Sequence, residues 1–405
     1  MEFYYSRQML VPNQFIVREI ILEIKKFIFN NPIETTGFFN GKSGASLFFF
    51  YDFLYSGDEK SFLVGSNYLE NEMSFLNNSQ NRNKSNDFQW FLWTLFHLKK
   101  KSIVELDENK INSYQYLLQD QFKTNSSERN YDLLHGNIGL GLVLENFMSR
   151  KAITDQYVTF FLQTCKTEGN IYKWEYKDSV RKSISYNIGL AHGMPSIILY
   201  LIKLANFQTD NNDIICRLIE GGVNYFIEIM QNASLIGSFF PNFVTPNSKS
   251  TEYSRLAWCY GDLGVGLSIL KSGILLKNKH YIEIGHRVLI NCAQRRDPAS
   301  NFIKDFSICH GSSGLIIFFD EIFLMTNDII FKEAADYWFA FTINEIIKCG
   351  NIEKVYAWKH EIDGGPYLSK GFLLGLSGIG LVLLSRLDGR LNNWEECLLL
   401  NDKTL

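Results

Sequence analysis

Gly375-Leu-Ser-Gly378 followed by Ile379-Gly-Leu-Val-Leu-Leu384 is the clearest example of a pattern that recurs along this chain. The pattern is a glycine, two residues, a glycine or serine, and then four or more mostly apolar residues. It occurs in five earlier places, namely Gly41-Lys-Ser-Gly44, Gly136-Asn-Ile-Gly139, Gly193-Met-Pro-Ser196, Gly261-Asp-Leu-Gly264 and Gly311-Ser-Ser-Gly314. The first glycines are 95, 57, 68, 50 and 64 residues apart, so the chain consists of repeats, each with room for two helices.

One further repeat fits into the longest interval. The apolar segment Phe88-Gln-Trp-Phe-Leu-Trp-Thr-Leu-Phe96 is the candidate, although it lacks the glycines. The glycine-led segments are apolar nearly all round, which is typical of buried helices, whereas segments such as 20–28 and 218–230 carry charge on one face. We therefore predict an all-α fold, an α/α toroid of about seven inner and seven outer helices. The glycines should lie at the helix N-termini, with all the motif loops at one end of the ring.

We expect the whole chain, residues 1–405, to form a single domain. Polar stretches at 77–87, 206–212 and 245–254 are typical of surface loops and not of interdomain linkers. The segment Gly169-Asn-Ile-Tyr-Lys-Trp-Glu-Tyr176 alternates with period two, which predicts a small β-containing excursion near residues 166–187.

Composition excludes several classes of function. The 405 residues are 46% hydrophobic and carry a net charge of −3, so there is no basic bias toward nucleic acid. The longest apolar run, 371–385, is shorter than the ~18 residues needed to span a bilayer, and the first residues do not resemble a secretory signal. Seven cysteines spread along the chain are not typical of a disulfide framework and favour a reducing, cytoplasmic location.

Potential metal ligands precede two of the glycines. Cys259 lies two residues before Gly261, and Cys309 and His310 lie directly before Gly311. In a ring of equivalent loops these side chains can converge, and two thiolates with one imidazole suit Zn²⁺ while leaving one position open, as in catalytic zinc sites. The alternative is that both cysteines are ordinary buried residues. The other five cysteines occupy no motif position.

Candidate proton-transfer residues precede two other glycines. His192 comes directly before Gly193 and can move a proton near neutral pH, or it can be a packed histidine. His135 holds the equivalent place before its own glycine and is as readily a spectator as a proton relay. Asp132 is either a helix cap or the orienting partner of His192. Arg255, four residues before Cys259, forms either a surface ion pair or a contact with a substrate carbonyl or carboxylate near the metal.

Together these motifs resemble the lanthionine synthetase C family. The resemblance rests on the following segments: Ala257-Trp-Cys-Tyr-Gly261, Ile308-Cys-His-Gly311, Gly189-Leu-Ala-His-Gly193 and Tyr131-Asp-Leu-Leu-His-Gly136. It extends from the first to the last glycine motif, and the expected single-domain organisation resembles the stand-alone cyclases of class I lantibiotic biosynthesis, of the nisin and subtilin type. The second repeat departs from the family by lacking its glycines, and Ser196 replaces a glycine in a later motif.

The resemblance implies a seven-fold α/α barrel with one Zn²⁺ held by Cys259, Cys309 and His310. It also implies proton transfer by His192 and Asp132, with Arg255 and Tyr260 close by. The implied reaction is addition of peptide cysteine thiolates to dehydroalanine or dehydrobutyrine, which forms lanthionine or methyllanthionine thioether rings. The implied partners are a dehydrated lantibiotic precursor peptide, a dehydratase and an ABC exporter, with no nucleic acid. The chain would then work in the cytoplasm, peripheral to the inner face of the membrane through these partners.

Two other classes of protein remain open. One is a different zinc-thiolate alkylating enzyme on an α/α toroid, such as a protein prenyltransferase β-subunit, although the adjacent Cys309 and His310 argue against it. The other is a relative that binds or adds glutathione, or a non-catalytic scaffold. The complete ligand set argues against the scaffold but not against a glutathione-adding relative.

Overall fold

The computed structural model describes residues 12–77, 87–178, 183–245, 251–358 and 365–401. Helices make up most of this part of the chain. They are α1 (Gln14–Asn30), α2 (Lys42–Ser56), α3 (Glu59–Asn77), α4 (Asp87–Lys100), α5 (Glu108–Asn112), α6 (Gln115–Ser127), α7 (Asn137–Leu144), α8 (Arg150–Thr164), α9 (Met194–Ala205), α10 (Asn212–Glu228), α11 (Ala233–Ile236), α12 (Asp262–Leu275), α13 (Lys279–Gln294), α14 (Ser312–Thr326), α15 (Ile329–Cys349) and α16 (Leu376–Leu387). Two 3₁₀ helices span Ile352–Lys354 and Trp394–Leu398.

The glycine-led segments form helices that begin directly after their glycines. Gly41, Gly136, Gly193, Gly261, Gly311 and Gly375 are the N-cap residues of α2, α7, α9, α12, α14 and α16. All eight residues of α7 are buried, and α9 buries all but one of its residues. The repeat without glycines also forms such a helix, since residues 88–95 of α4 are all buried. The predicted inner helices are therefore present in the described part of the chain.

The intervening helices bury one face. In α1 the buried residues include Ile20, Ile24 and Ile28, which lie on one side of a helix. In α13 the buried residues Tyr281, Ile284 and Val288 are three and four residues apart and so also share one side, while lysine and glutamate occupy the other side. This amphipathic pattern is typical of an outer layer that packs on apolar helices.

The chain divides into two compact units. One contains residues 1–78 and 296–392, where α16 packs against α2 and α14, α3 packs on α2, and α15 packs on α14. The other contains residues 79–295 and 393–405, where α7 contacts α4 and α9, and α9 contacts α12. In this second unit α10 packs on α9 and α13 packs on α12.

Short strands interrupt the helices, both near residues 166–187, where the sequence predicts them, and at two later places where it does not. β1 (Cys165–Glu168) and β2 (Ile171–Trp174) form an antiparallel hairpin. β3 (Tyr176–Asp178) pairs with β4 (Ser183–Asn187), which in turn pairs with β5 (Phe243–Val244). β6 (Ala357–Trp358) and β7 (Pro366–Tyr367) form a further two-stranded sheet. The β-containing excursion predicted near 166–187 is thus present, and its strand β4 pairs with β5, which lies in a later loop.

Two of the predicted surface loops are only partly described. Residues 78–86 of the loop over 77–87, and residues 246–250 of the loop over 245–254, lie outside the described residues. The third, 206–212, connects α9 with α10 as predicted. Among the helices that the structure describes, none combines the length and apolarity that crossing a bilayer requires.

Candidate functional site

Several of the motif loops are hydrogen-bonded to one another through the backbone of the residue two positions before the glycine. In the first unit the backbone N–H of Cys309 donates to the carbonyl of Leu373 at 3.1 Å, and the N–H of Leu373 donates to the carbonyl of Phe39 at 2.8 Å. In the second unit the N–H of Ala191 donates to the carbonyl of Cys259 at 3.2 Å. Equivalent positions of neighbouring repeats therefore lie side by side within each unit, as the repeat pattern predicts.

The loop that carries Cys259 requires a glycine at its end. Gly261 has φ +100°, and a Cβ atom there would lie 1.9 Å from the carbonyl oxygen of Arg255. Trp258 is fully buried, and its indole N–H donates to the carbonyl of Leu398 at 3.1 Å. The tight turn and this anchor hold Cys259 in a buried position, with a half-buried Arg255 at the start of the same loop.

His310 is oriented by two oxygen atoms. Its Nε2 lies 3.2 Å from Oδ2 of Asp305 and 3.1 Å from the carbonyl oxygen of Trp358. Both oxygens accept, so Nε2 carries the proton and Nδ1 is the ring nitrogen with a lone pair to offer. Burial opposes the charge on Asp305, but its hydrogen bonds and attraction to His310 outweigh burial and lower the pKa of the carboxyl. Asp305 also accepts from the N–H of Trp358 at 2.8 Å.

Cys259, Cys309 and His310 form a group of possible metal ligands. Each offers one ligand atom, and these atoms all lie within 4.8 Å of one another. Two sulfur donors and one imidazole nitrogen suit zinc better than the hard cations, which prefer oxygen. A carboxylate on the far nitrogen of the histidine, as Asp305 provides, is the usual arrangement around a zinc-bound imidazole. The residues present therefore fit a zinc ion.

His192 forms a close pair with Asp132. Its Nδ1 lies 2.6 Å from Oδ2 of Asp132, whose Oδ1 accepts from the backbone N–H groups of Leu134 and His135 at 2.7 and 3.0 Å. Because the carboxylate can only accept, Nδ1 carries the proton and Nε2 is left to exchange one. The side chain of His192 is 27% exposed, so it can meet a substrate. His135 itself is exposed at the surface of its loop, and its role stays a prediction.

The charges of this pair stabilise each other. Burial opposes the positive charge on His192, but the attraction of Asp132 and their hydrogen bond, aided by Cys259, raise its pKa. Burial likewise opposes the negative charge on Asp132, but His192 and His135 lower the pKa of this carboxyl. The pair is thus favoured as an imidazolium with a carboxylate.

We expect Asp132→Asn to lower the pKa of His192 below its usual value of 6.5. The asparagine oxygen can still accept from the loop N–H groups, but the charge that offsets burial is lost. Titration of the histidine Cε1 signals by NMR, in chains of the same zinc content, measures this pKa. An unchanged pKa in the variant would mean that Asp132 is a loop cap without electrostatic influence on His192.

Tyr260 lies beside His192. The two ring centroids are 6.2 Å apart, and the centroid of the Phe243 ring lies 5.4 Å from that of Tyr260. A Cβ atom on Gly189 would lie 2.4 Å from the Tyr260 ring, so only glycine allows this close approach. The hydroxyl of Tyr260 accepts from Nδ2 of Asn187 at 3.1 Å. The structure therefore brings His192, Asp132 and Tyr260 together.

Sequence analysis missed two of these residues, Asn187 and Asp305. Both lie six residues before a motif glycine, and Asn130 holds the same place before Gly136. All three accept, through Oδ1, from the backbone N–H two residues later, at 2.8, 2.9 and 3.2 Å respectively. The recurrence of Asn or Asp at this offset was visible in the sequence and predicts a turn that starts each of these loops.

Comparison with known proteins places the chain in a family. The model of the lanthionine synthetase C-like protein family matches residues 91–399, well over half of the chain. The nisin biosynthesis protein NisC of Lactococcus lactis subsp. lactis is 31% identical over 160 residues, which are 39% of this chain and 33% of that relative. The alignment thus spans only about a third of the relative's length.

A solved structure of nisin cyclase has the same fold. It matches with a TM-score of 0.74 at 20% identity and covers 97% of this chain and 99% of its own. The prediction of an all-α fold of the α/α toroid type is thereby confirmed. Since the family model spans most of the repeats, including those of Cys259, Cys309 and His192, the chain belongs to the lanthionine synthetase C-like family.

Proposed function

We propose that this chain is a zinc-dependent lantibiotic cyclase. It would add cysteine thiols of a dehydrated precursor peptide to dehydroalanine or dehydrobutyrine and so form lanthionine and methyllanthionine rings. The observation that carries the proposal is the group formed by two thiols and one imidazole. The pair of His192 and Asp132 adds to it, because the backbone N–H of Ala191, next to His192, donates to the carbonyl of Cys259. Membership of the family supports the same reaction.

The proposal assigns one zinc ion to Cys259, Cys309 and His310, which leaves a coordination position for substrate. When bound, zinc lowers the pKa of a coordinated thiol, so that the thiol is a thiolate at neutral pH. Asp305 would hold the imidazole of His310 in the orientation that the metal needs.

The remaining residues would handle the proton and the developing charge. The sulfur–carbon bond forms at the β-carbon, the alkene electron pair moves toward the carbonyl oxygen, and the α-carbon then takes a proton. Nε2 of His192 is the group that we assign to this proton transfer, with Asp132 stabilising the imidazolium. Arg255 is assigned to a substrate carbonyl or carboxylate.

The partners follow from the order of the chemistry. A peptide must be dehydrated before a thiol can add to it, and a finished lantibiotic must leave the cell. The proposal therefore includes a dehydratase and an ABC exporter as partners. It also includes a cytoplasmic site of action, with any association with the membrane made through those partners.

A thiol-trapping assay tests the proposed function. The zinc-loaded chain is incubated with a dehydrated peptide that contains cysteine, and remaining thiols are then alkylated, because ring closure changes no mass. We expect the product to resist alkylation, and a peptide that stays fully labelled would contradict the proposal. A parallel incubation with glutathione distinguishes ring closure from addition of an external thiol, which would increase the mass of the peptide.

The orienting role of Asp305 gives a separate prediction. We expect Asp305→Asn to weaken zinc binding about 10- to 100-fold, the usual effect of removing an outer partner of a metal-bound histidine. Competition against a chromophoric chelator measures the affinity. Asp297→Asn is the matched control, since Asp297 is an exposed carboxylate in the segment preceding this loop. Equal affinities in all three chains would remove Asp305 from the metal site.

A further inference from the structure

Asn187 makes hydrogen bonds with both ends of its amide. The residue ends strand β4 and is fully buried. Its Oδ1 accepts from the backbone N–H of Gly189 at 2.8 Å, and its Nδ2 donates to the hydroxyl of Tyr260 at 3.1 Å. A backbone N–H can only donate, so the amide oxygen must face Gly189. The amide nitrogen is then the end that faces Tyr260.

This arrangement sets the direction of the Tyr260 hydroxyl. A hydroxyl that accepts from Asn187 directs its own proton to a different atom. The ring is confined by its neighbours, since it lies close to Phe243, to the backbone at Gly189 and to His192. The phenol is therefore held as a hydrogen-bond donor next to the histidine that we assign to proton transfer.

We propose that Asn187 is a positioning residue that keeps the Tyr260 hydroxyl as a donor to the carbonyl oxygen of the dehydrated substrate residue. The inference rests on the proposed function. As the sulfur adds to the β-carbon, negative charge accumulates on that carbonyl oxygen until the α-carbon is protonated. A donor already aimed at the oxygen stabilises this charge at no cost of reorganisation during the reaction.

A purely structural role accounts for only half of the contacts of Asn187. Asn130 and Asp305 close the same kind of turn through Oδ1, so an aspartate serves as well as an asparagine there. The Nδ2 of Asn130 donates within its own loop, to the carbonyl of His135, whereas the Nδ2 of Asn187 donates to a side chain 73 residues away. The turn therefore explains the bond to Gly189 but not the bond from Nδ2 to Tyr260. Asn187→Asp separates the two contacts, because it keeps an acceptor for Gly189 and replaces the donor by a second acceptor, which would take the Tyr260 proton for itself.

The test compares four zinc-loaded chains, namely wild type, Asn187→Asp, Tyr260→Phe and the double variant, in the thiol-trapping assay. We expect each single variant to lose about 10²-fold in kcat, the size of one oxyanion-stabilising donor, with KM changed little. The double variant should be no slower than the slower single variant, because both changes remove the same donor. Independent effects would multiply instead and would overturn the inference.

Asn187→Ser is a second variant for the case in which Asn187→Asp loses activity through its new charge or through misfolding. The short serine hydroxyl can close the turn but cannot reach Tyr260, so we expect the same loss in kcat as in Asn187→Asp. When it is added to Tyr260→Phe, it should cause no further loss in kcat. A wild-type kcat in either Asn187 variant would overturn the inference but would not contradict the proposed cyclase function. A wild-type chain that closes no ring would instead overturn the proposed function, and the inference with it.

Discussion

Cys309→Ala should leave the purified chain with almost no zinc, whereas the unaltered chain should hold about one zinc ion per molecule. The reason is that only three protein ligands are assigned, so that removing one leaves two, too few for tight binding. Cys259→Ala should behave in the same way. Both variants should keep their helical circular dichroism, because the fold rests on buried apolar helices, to which the buried Cys259 and the half-buried Cys309 contribute little.

Metal analysis by mass spectrometry, at equal protein concentration, measures this loss. Cys349→Ala is the matched control, since Cys349 is a half-buried thiol at the end of α15 and lies outside the ligand group. It should retain the full zinc content. Full zinc content in Cys259→Ala or Cys309→Ala would contradict the ligand assignment. It would also remove the reason for expecting this chain to activate thiols.

His192→Ala should slow ring closure by about 10²- to 10⁴-fold, the usual contribution of a general acid or base. Zinc should stay bound, because His192 belongs to a different repeat from all three assigned ligands. Asp132 would then keep only the loop N–H groups as partners, and the proton at the α-carbon would have to come from a less suitable donor.

The measurement combines zinc analysis with the thiol-trapping assay on a dehydrated, cysteine-containing peptide. His280→Ala is the matched control, since His280 is exposed near the start of α13 and should leave the rate unchanged. Peptide treated with the His192 variant should be labelled at times when the wild-type product already resists alkylation. Near-normal ring closure by the variant would mean that His135, Tyr260 or water, and not His192, transfers the proton.

Repetition made the fold predictable. Each glycine motif encodes the same local structure, a glycine N-cap followed by a helix without a polar face, and the intervening helices show charge on one side. Both features depend on short stretches of sequence, namely the glycine before each helix and the spacing of the apolar residues. A single sequence was therefore enough to predict them. The segment 88–96 was recognisable without its glycines, because a helix that is buried on all sides over residues 88–95 requires a mostly apolar sequence.

The positions of the candidate metal ligands could be predicted for a similar reason. Cys259 and Cys309 hold the same place in their repeats, two residues before the glycine, and a repeat fold turns equal sequence positions into neighbouring spatial positions. His310 directly follows Cys309 and adds an imidazole to the two thiols, and the resemblance to the family implies the same three ligands. The assignment of these residues as ligands remains a prediction until zinc is measured.

The sequence offered Asp132 as a helix cap or as the orienting partner of His192, 60 residues away, and the structure shows this contact. The other hydrogen-bond partners that prepare the site could not be predicted in this way. Asn187 and Tyr260 are 73 residues apart, and Asp305 and Trp358 are 53 apart. Asn and Asp at the start of a loop predict a turn, but the turn uses only one oxygen, and nothing local indicates what the other side-chain atom will meet. That partner depends on which loops the packed helices bring together. The repeats, the helices and the ligand positions therefore follow from local pattern, whereas the orientation of Tyr260 and His310 follows from long-range packing.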